Sequence, residues 1–250
     1  MSKTIVLFGR LMRHILRSPD TIITVLLMPI AFMLLFVYVF GGALKGSLPA
    51  GTTYVNYLLP GILLIAIASG ISYTAFRLFT DVQNGLFTRF NSMPISRSAM
   101  LWAHVLTSLV SNMISVVIII AIALLMGFRS SASFLNWLAV IGILALFTLT
   151  LTWIAVIPGI TAKSIDGASA FSYPIIFLPF LSSAFIPTAT MPKVLRIFAE
   201  NQPVTSIANT IRALLNSQPA GSSIWVALAW CVGIMIVAYL FAMRAYRAKI

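Results

Sequence analysis

Seven side chains hold most of the acid–base, metal-binding and nucleophilic capacity of this sequence: Asp20, Asp81, Asp166, Glu200, His14, His104 and Cys231. Their positions argue against a reaction centre. Asp20, Asp81 and Asp166 stand at the edges of long apolar runs, and Glu200 lies in a polar stretch further on. A proton relay or an intramembrane hydrolase sets an ionisable group at membrane depth despite a cost of at least ~2.5–3.5 kcal/mol. Here only His104 comes near that position, towards one end of an apolar run. His14 and His104 share no metal-ligand spacing, and a single cysteine can form no internal disulfide. The reading is of a protein that is not an enzyme, with no metal site and no cofactor of its own.

A different pattern surrounds His104. His104, Ser108, Ser111, Asn112 and Ser115 recur on one face of a helix. Small polar side chains at this spacing make close helix–helix packing with interhelical hydrogen bonds. The same stripe could instead line a transport path or a dimer seam. Thr148 and Thr152, in the next apolar run, are weaker candidates for the same role.

The elements that position these residues must lie in lipid. With 60% hydrophobic and 8% charged residues and a mean hydropathy of +1.05, the chain cannot cover a water-facing surface, since soluble domains carry about 25% charged residues. Its length allows about six crossings of ~20 residues. The apolar runs place them at 21–40, 57–79, 99–126, 134–157, 168–186 and 224–243. Pro29 predicts a kink in the first, and Pro174 and Pro179 interrupt the fifth. The first run is longer than a signal-peptide core, so it is read as a retained span. The fold class is all-α: a polytopic membrane protein in one transmembrane domain over residues 1–250.

The net charge of +12 comes from cations that flank apolar runs. That is the positive-inside pattern rather than a nucleic-acid surface. With the N-terminus inside, Lys3, Arg10, Arg13, Arg17, Arg77, Arg89, Arg97, Lys163, Arg244, Arg247 and Lys249 fall on the inner side. Lys45, Arg129, Lys193, Arg196 and Arg212 are left outside. Both termini are therefore expected in the cytoplasm. Residues 3–18 predict an interfacial helix, with Ile5, Leu7, Phe8, Leu11, Met12, Ile15 and Leu16 on one arc and Arg10, Arg13 and Arg17 on the other. Such a helix sinks its apolar face into acyl chains and turns its cations to anionic headgroups. On the outer side, residues 187–223 predict two short helices, one after Pro192 and one starting at Pro203. They either dip into the outer leaflet and cap the last two spans or lie as ordinary surface helices. The stretch GGALKGS at residues 41–47 lacks the Lys-Ser/Thr ending and the preceding strand of a phosphate loop.

The longest polar interruption in the first half is 81–97, DVQNGLFTRFNSMPISR. Val82, Leu86 and Phe90 recur at helical spacing, Asp81 could cap that helix, and Pro94 would end it. A short amphipathic helix of this kind docks into a groove on a soluble partner. An interfacial turn anchored by its arginines is the other reading.

At Asp81, Gly85, Arg89, Phe90, Ser92, Pro94, Ser96 and Arg97 the loop resembles the inner loop of ABC-2 type transporter permeases, in particular the daunorubicin-resistance-like drug exporters. YVNYLLPG at residues 54–61 resembles the entry to their second span. FLSSAFIPTATMP at 180–192 and NQPVTSIANTIRALL at 201–215 resemble their outer segment. The resemblance covers the whole chain in order. It implies a membrane subunit that pairs with a second permease chain, identical or not, and with separate ATP-binding subunits that carry ATP and magnesium. It also implies that the interfacial helix and the loop residues Asp81, Val82, Gly85, Leu86, Arg89, Phe90, Pro94 and Arg97 contact the ATPase. The site would be a bacterial plasma (inner) membrane and the direction outward.

With no nucleotide motif and no intramembrane acid, the energy source is expected to lie outside the chain. The competing classes are a stand-alone carrier or channel and a non-transporting membrane immunity protein. Nearly uncharged spans suit an amphipathic or lipid-like cargo, such as a drug, antibiotic, peptide or lipid.

Overall fold

The computed structural model describes residues 3–16, 19–44, 52–85 and 97–249. Among them every regular element is helical. In chain order, α1 is Lys3–Leu16 and α2 is Pro19–Leu34, which continues as a π-helical segment Leu35–Phe40 and ends in α3, Gly41–Leu44. Next come α4 (Tyr54–Gln83), α5 (Arg97–Leu125) and α6 (Phe134–Thr161). The short helices α7 (Ile165–Ala170) and α8 (Ser172–Phe177) lead into a 3₁₀ turn, Leu178–Leu181. The chain finishes with α9 (Lys193–Asn201), α10 (Pro203–Leu215) and α11 (Ser223–Lys249).

Four of these, α4, α5, α6 and α11, are long and apolar enough to cross a membrane. Two further apolar segments, Val25–Phe40 and Ile165–Leu181, are shorter. In the first, the α-helix carries Pro29 inside it, and the irregularity that follows is the π segment. The second is the run expected over 168–186 with interruptions at Pro174 and Pro179. It is cut into α7, α8 and the 3₁₀ turn, and Ser182 beyond them is extended. The cause is local: Pro174 and Pro179 have no amide proton, so the α-helical ladder is interrupted in both turns.

α4 is the centre of the fold. It packs against α2, α5, α6, α7 and α10, and almost every residue from Tyr54 to Ala68 is buried. α6 joins α4 to α11. One core runs from Leu58, Leu63 and Ile67 of α4 through Ile119 and Leu144 to Ile207 and Ile211 of α10. A second, at the other end, joins Leu78, Leu101, Val156, Ala242 and Tyr246. The aromatic rings Trp102, Trp153 and Tyr239 stack edge-on across α5, α6 and α11, with centroids 5.2 and 4.8 Å apart.

The two short helices after Pro192 meet different fates. α10 is interior, with Val204, Ile207, Ala208, Ile211, Leu214 and Leu215 all buried against α4, α6 and α11. It is neither a surface helix nor a cap on the last two spans alone. α9 leaves its apolar side bare: Val194 is 82% exposed, and Leu195, Ile197 and Phe198 are exposed as well. Arg196 and Glu200 pair along it at 2.8 Å, which holds the Glu200 carboxyl below its usual range.

Candidate coupling site

The polar interruption begins later than its sequence suggests. Asp81 caps no new helix; it lies in the last turn of α4, which runs on to Gln83. Nothing from Thr80 to Gln83 breaks a helix, and the stop comes at Asn84-Gly85. The Asn84 amide closes on the Thr80 carbonyl at 2.9 Å and the Gly85 amide on that of Val82 at 3.2 Å. Gly85 has φ +67°, the left-handed conformation in which glycine ends a helix. Val82 remains on α4, packed beside the second core. Leu86, Arg89, Phe90 and Pro94 lie outside the described residues, so the amphipathic helix expected through them does too. Arg97 opens α5.

Across this end of the molecule Asp81 meets His104. The imidazole Nε2 stands 3.1 Å from Oδ2, with the histidine 4% and the aspartate 22% exposed. One turn back along α4, the Arg77 guanidinium lies over the Tyr73 ring at 4.6 Å. α1 packs on α5, and its Leu7, Arg10 and Leu11 bound a small cavity whose far wall is Asp81, Met100, Ala103 and His104. Leu7 and Leu11 of α1 therefore rest beside protein. Arg10 and Arg13 are exposed, and Arg17 lies outside the described residues.

The stripe on α5 is buried inside the chain. Ser108 Oγ accepts from Thr74 Oγ1 of α4 and lies 3.0 Å from Thr152 Oγ1 of α6. The Asn112 amide donates to the Ser108 carbonyl at 2.9 Å. Its carboxamide fills the space where Gly70 lacks a side chain, and a Cβ there would overlap it. Ser111 and Ser115 return their hydroxyls to carbonyls of their own helix. Interhelical packing describes this geometry. Of the stripe's residues, only Ser111 is more than marginally exposed. Thr148, likewise, bonds back to Leu144 within α6.

A groove of about 600 Å³ opens between α2, α4 and α7–α8. Ser69, Ser72, Tyr73 and Phe76 line one wall, and Ser172 and Tyr173 line another. Among the described residues that line it, none is charged. Among the described residues no group of three His, Cys, Asp or Glu could share a metal ion.

On the opposite end, Arg212 of α10 is a structural cation that charge counting treated only as an outer positive charge. Its guanidinium donates to the carbonyls of Tyr57, Ser183 and Ala184 and to Asn209 Oδ1, and stacks 3.8 Å over the Tyr57 ring. The Asp81–His104 pair was also missed as a pair, although a signal existed. An acid just before a loop and a histidine soon after it come level when the flanking helices run antiparallel.

The model of the ABC-2 type transporter family matches residues 2–216. The chain belongs to this family. The ABC-2 chain is 28% identical over its whole length to the daunorubicin resistance ABC transporter permease protein DrrB1 of Streptomyces coeruleorubidus, covering 87% of that protein. It is 22% identical over 95% of its length to the probable doxorubicin resistance ABC transporter permease protein DrrC of Mycobacterium tuberculosis, covering 85% of it. A putative transport permease of Porphyra purpurea, ycf38, is 26% identical over 84% of the chain and 73% of its own. With its long apolar helices, this ABC-2 protein is a multi-pass membrane protein and a transporter subunit.

Proposed function

We propose that this chain is the permease subunit of an ATP-driven exporter that moves amphipathic drugs outward through a bacterial inner membrane. The observation that carries the proposal is the likeness, end to end, to permeases named for daunorubicin and doxorubicin resistance. The uncharged groove beside α4 supports an amphipathic cargo: its walls alternate hydroxyls with apolar surface, the mixture that small-molecule sites use.

The rest of the proposal follows the family and the charge distribution. α2, α4, α5, α6, the broken α7–α8 segment and α11 make six crossings, with both termini in the cytoplasm. A second permease chain completes the pathway. Separate ATP-binding subunits, which hold ATP and magnesium, dock on residues 81–97, with Arg89 pairing an acid in their groove and α1 alongside. Neither the loop nor the interfacial helix carries out chemistry; both receive movement.

Inverted membrane vesicles holding the chain and a co-expressed ATP-binding subunit test this. Daunorubicin uptake is expected to require ATP. Arg89→Glu is expected to lower both the co-purified ATP-binding subunit and the uptake by about tenfold, the cost of ~1.4 kcal/mol at a contact. Unchanged co-purification would remove the loop contact. Uptake by the chain alone, driven by an ion gradient and indifferent to ATP, would instead make it a stand-alone carrier.

A further inference from the structure

The helices on either side of the polar loop, α4 and α5, are joined along their facing sides by three contacts at matched depths. Asp81 meets His104, Thr74 meets Ser108, and Gly70 admits Asn112. The last is a steric fit and the middle one a hydroxyl pair. The first is the ionisable contact, and it lies nearest the loop, four residues before Gly85. It is also roofed by α1, whose Leu7 and Leu11 face it.

We infer that the Asp81–His104 pair is a positioning clamp that makes α4 and α5 move as one body, so that displacement of the loop between them reaches the transmembrane helices. The inference rests on the reading of that loop as the ATPase contact. Its physical basis is where the pair sits. A loop pushed from below can either carry both attached helices with it or spread their ends and lose the motion. Apolar contacts at this level, Leu78 with Met100 and Leu101, are non-directional and allow sliding. A hydrogen bond from His104 Nε2 to the Asp81 carboxylate fixes both distance and direction. It is also costly to leave half made, because His104 is only 4% exposed and a buried polar group without a partner is destabilising. α1 lies across the same seam, so the interfacial helix meets Asp81, the first residue of the polar stretch.

The test has two arms, both using the full chain. In the first, spin labels at Gln83→Cys and Val110→Cys on a Cys231→Ala background report the α4–α5 distance for the permease alone in lipid nanodiscs. Asp81→Asn and His104→Gln should each broaden the distance distribution by about twofold. An unchanged distribution in both overturns the clamp, whatever the partner does.

In the second arm, ATP hydrolysed per daunorubicin exported is measured with the ATP-binding subunit bound. His104→Gln, outside the loop, should keep that subunit and its hydrolysis, and each single variant should raise the ratio about tenfold, equivalent to ~1.4 kcal/mol of lost coupling. The double variant should be no worse than either single, and Asp81→His with His104→Asp should recover most of the loss. Thr150→Val, which breaks the α6 bond to the Cys231 carbonyl, serves as a stability control and should leave the ratio alone. A ratio unmoved by either single variant, single effects that multiply in the double, or an equal rise in Thr150→Val each overturns the coupling role. A wild-type chain whose label distances depend on the pair but which exports without ATP overturns the ATPase reading and the coupling role together, and leaves the clamp as architecture.

Discussion

Arg212 illustrates how one side chain can organise a region with no acidic partner among the described residues. Its fork reaches carbonyls on α4 and on the turn after Leu181, and its plane rests on the Tyr57 ring. Lysine has the charge but not the planar fork. Arg212→Ala should strand two or more of these carbonyls at about 1–3 kcal/mol each and lower the unfolding temperature in detergent; Arg212→Lys should recover less than half of the loss. Equal stability of Arg212→Lys and wild type would show that charge alone matters. None of this was legible in the sequence, because the carbonyls lie 28, 29 and 155 residues away and carbonyls have no side-chain signature. The polar stripe was legible, because helical spacing alone puts Ser108 and Asn112 on one face. Which helices they would meet was not.

At the level of elements, sequence periodicity gave the boundaries of α5 and α6 closely and misjudged those governed by single turns. α4 was expected to end near Phe79 because Asp81 starts a polar stretch, yet a polar residue in a last turn costs little when a partner such as His104 accepts it. The fifth span was expected to be interrupted by Pro174 and Pro179, and the run is indeed broken into short helices and a 3₁₀ turn. α9 and α10 show the limit of amphipathicity as a signal: both have a clear apolar face, and only contact decides which is buried. Ile207→Lys in α10 should therefore abolish a monodisperse, folded preparation, since an unpaired buried charge costs several kcal/mol. Val194→Lys in α9 should leave size-exclusion behaviour unchanged. Aggregation of Val194→Lys would mean that α9 is covered.

For the molecule as a whole, the arrangement of cations remains the basis for orientation. The proposed six crossings would place Ser217 outside and Lys249 inside. On a Cys231→Ala background, Ser217→Cys should react with an impermeant maleimide in intact cells. Lys249→Cys should react only after the membrane is opened. Reaction of both from outside would mean that α11 does not cross the membrane. The fold class was legible throughout, because 60% hydrophobic residues leave lipid as the only solvent. What composition could not reveal was which helix lies at the centre.

That helix is α4. Of the four long apolar helices it is the most buried and also the least apolar, and it carries Arg77 and Asp81. It is synthesised before α5, α6 and α10, the helices that later cover it. Insertion into a bilayer is graded by apolarity, so the segment most dependent on its neighbours enters the membrane ahead of most of them. Biogenesis of this chain thus has a built-in waiting step: α4 is committed to its place by helices that have not yet left the ribosome. A defect in α6 or α10 would be felt first as a failure to retain α4 across the bilayer.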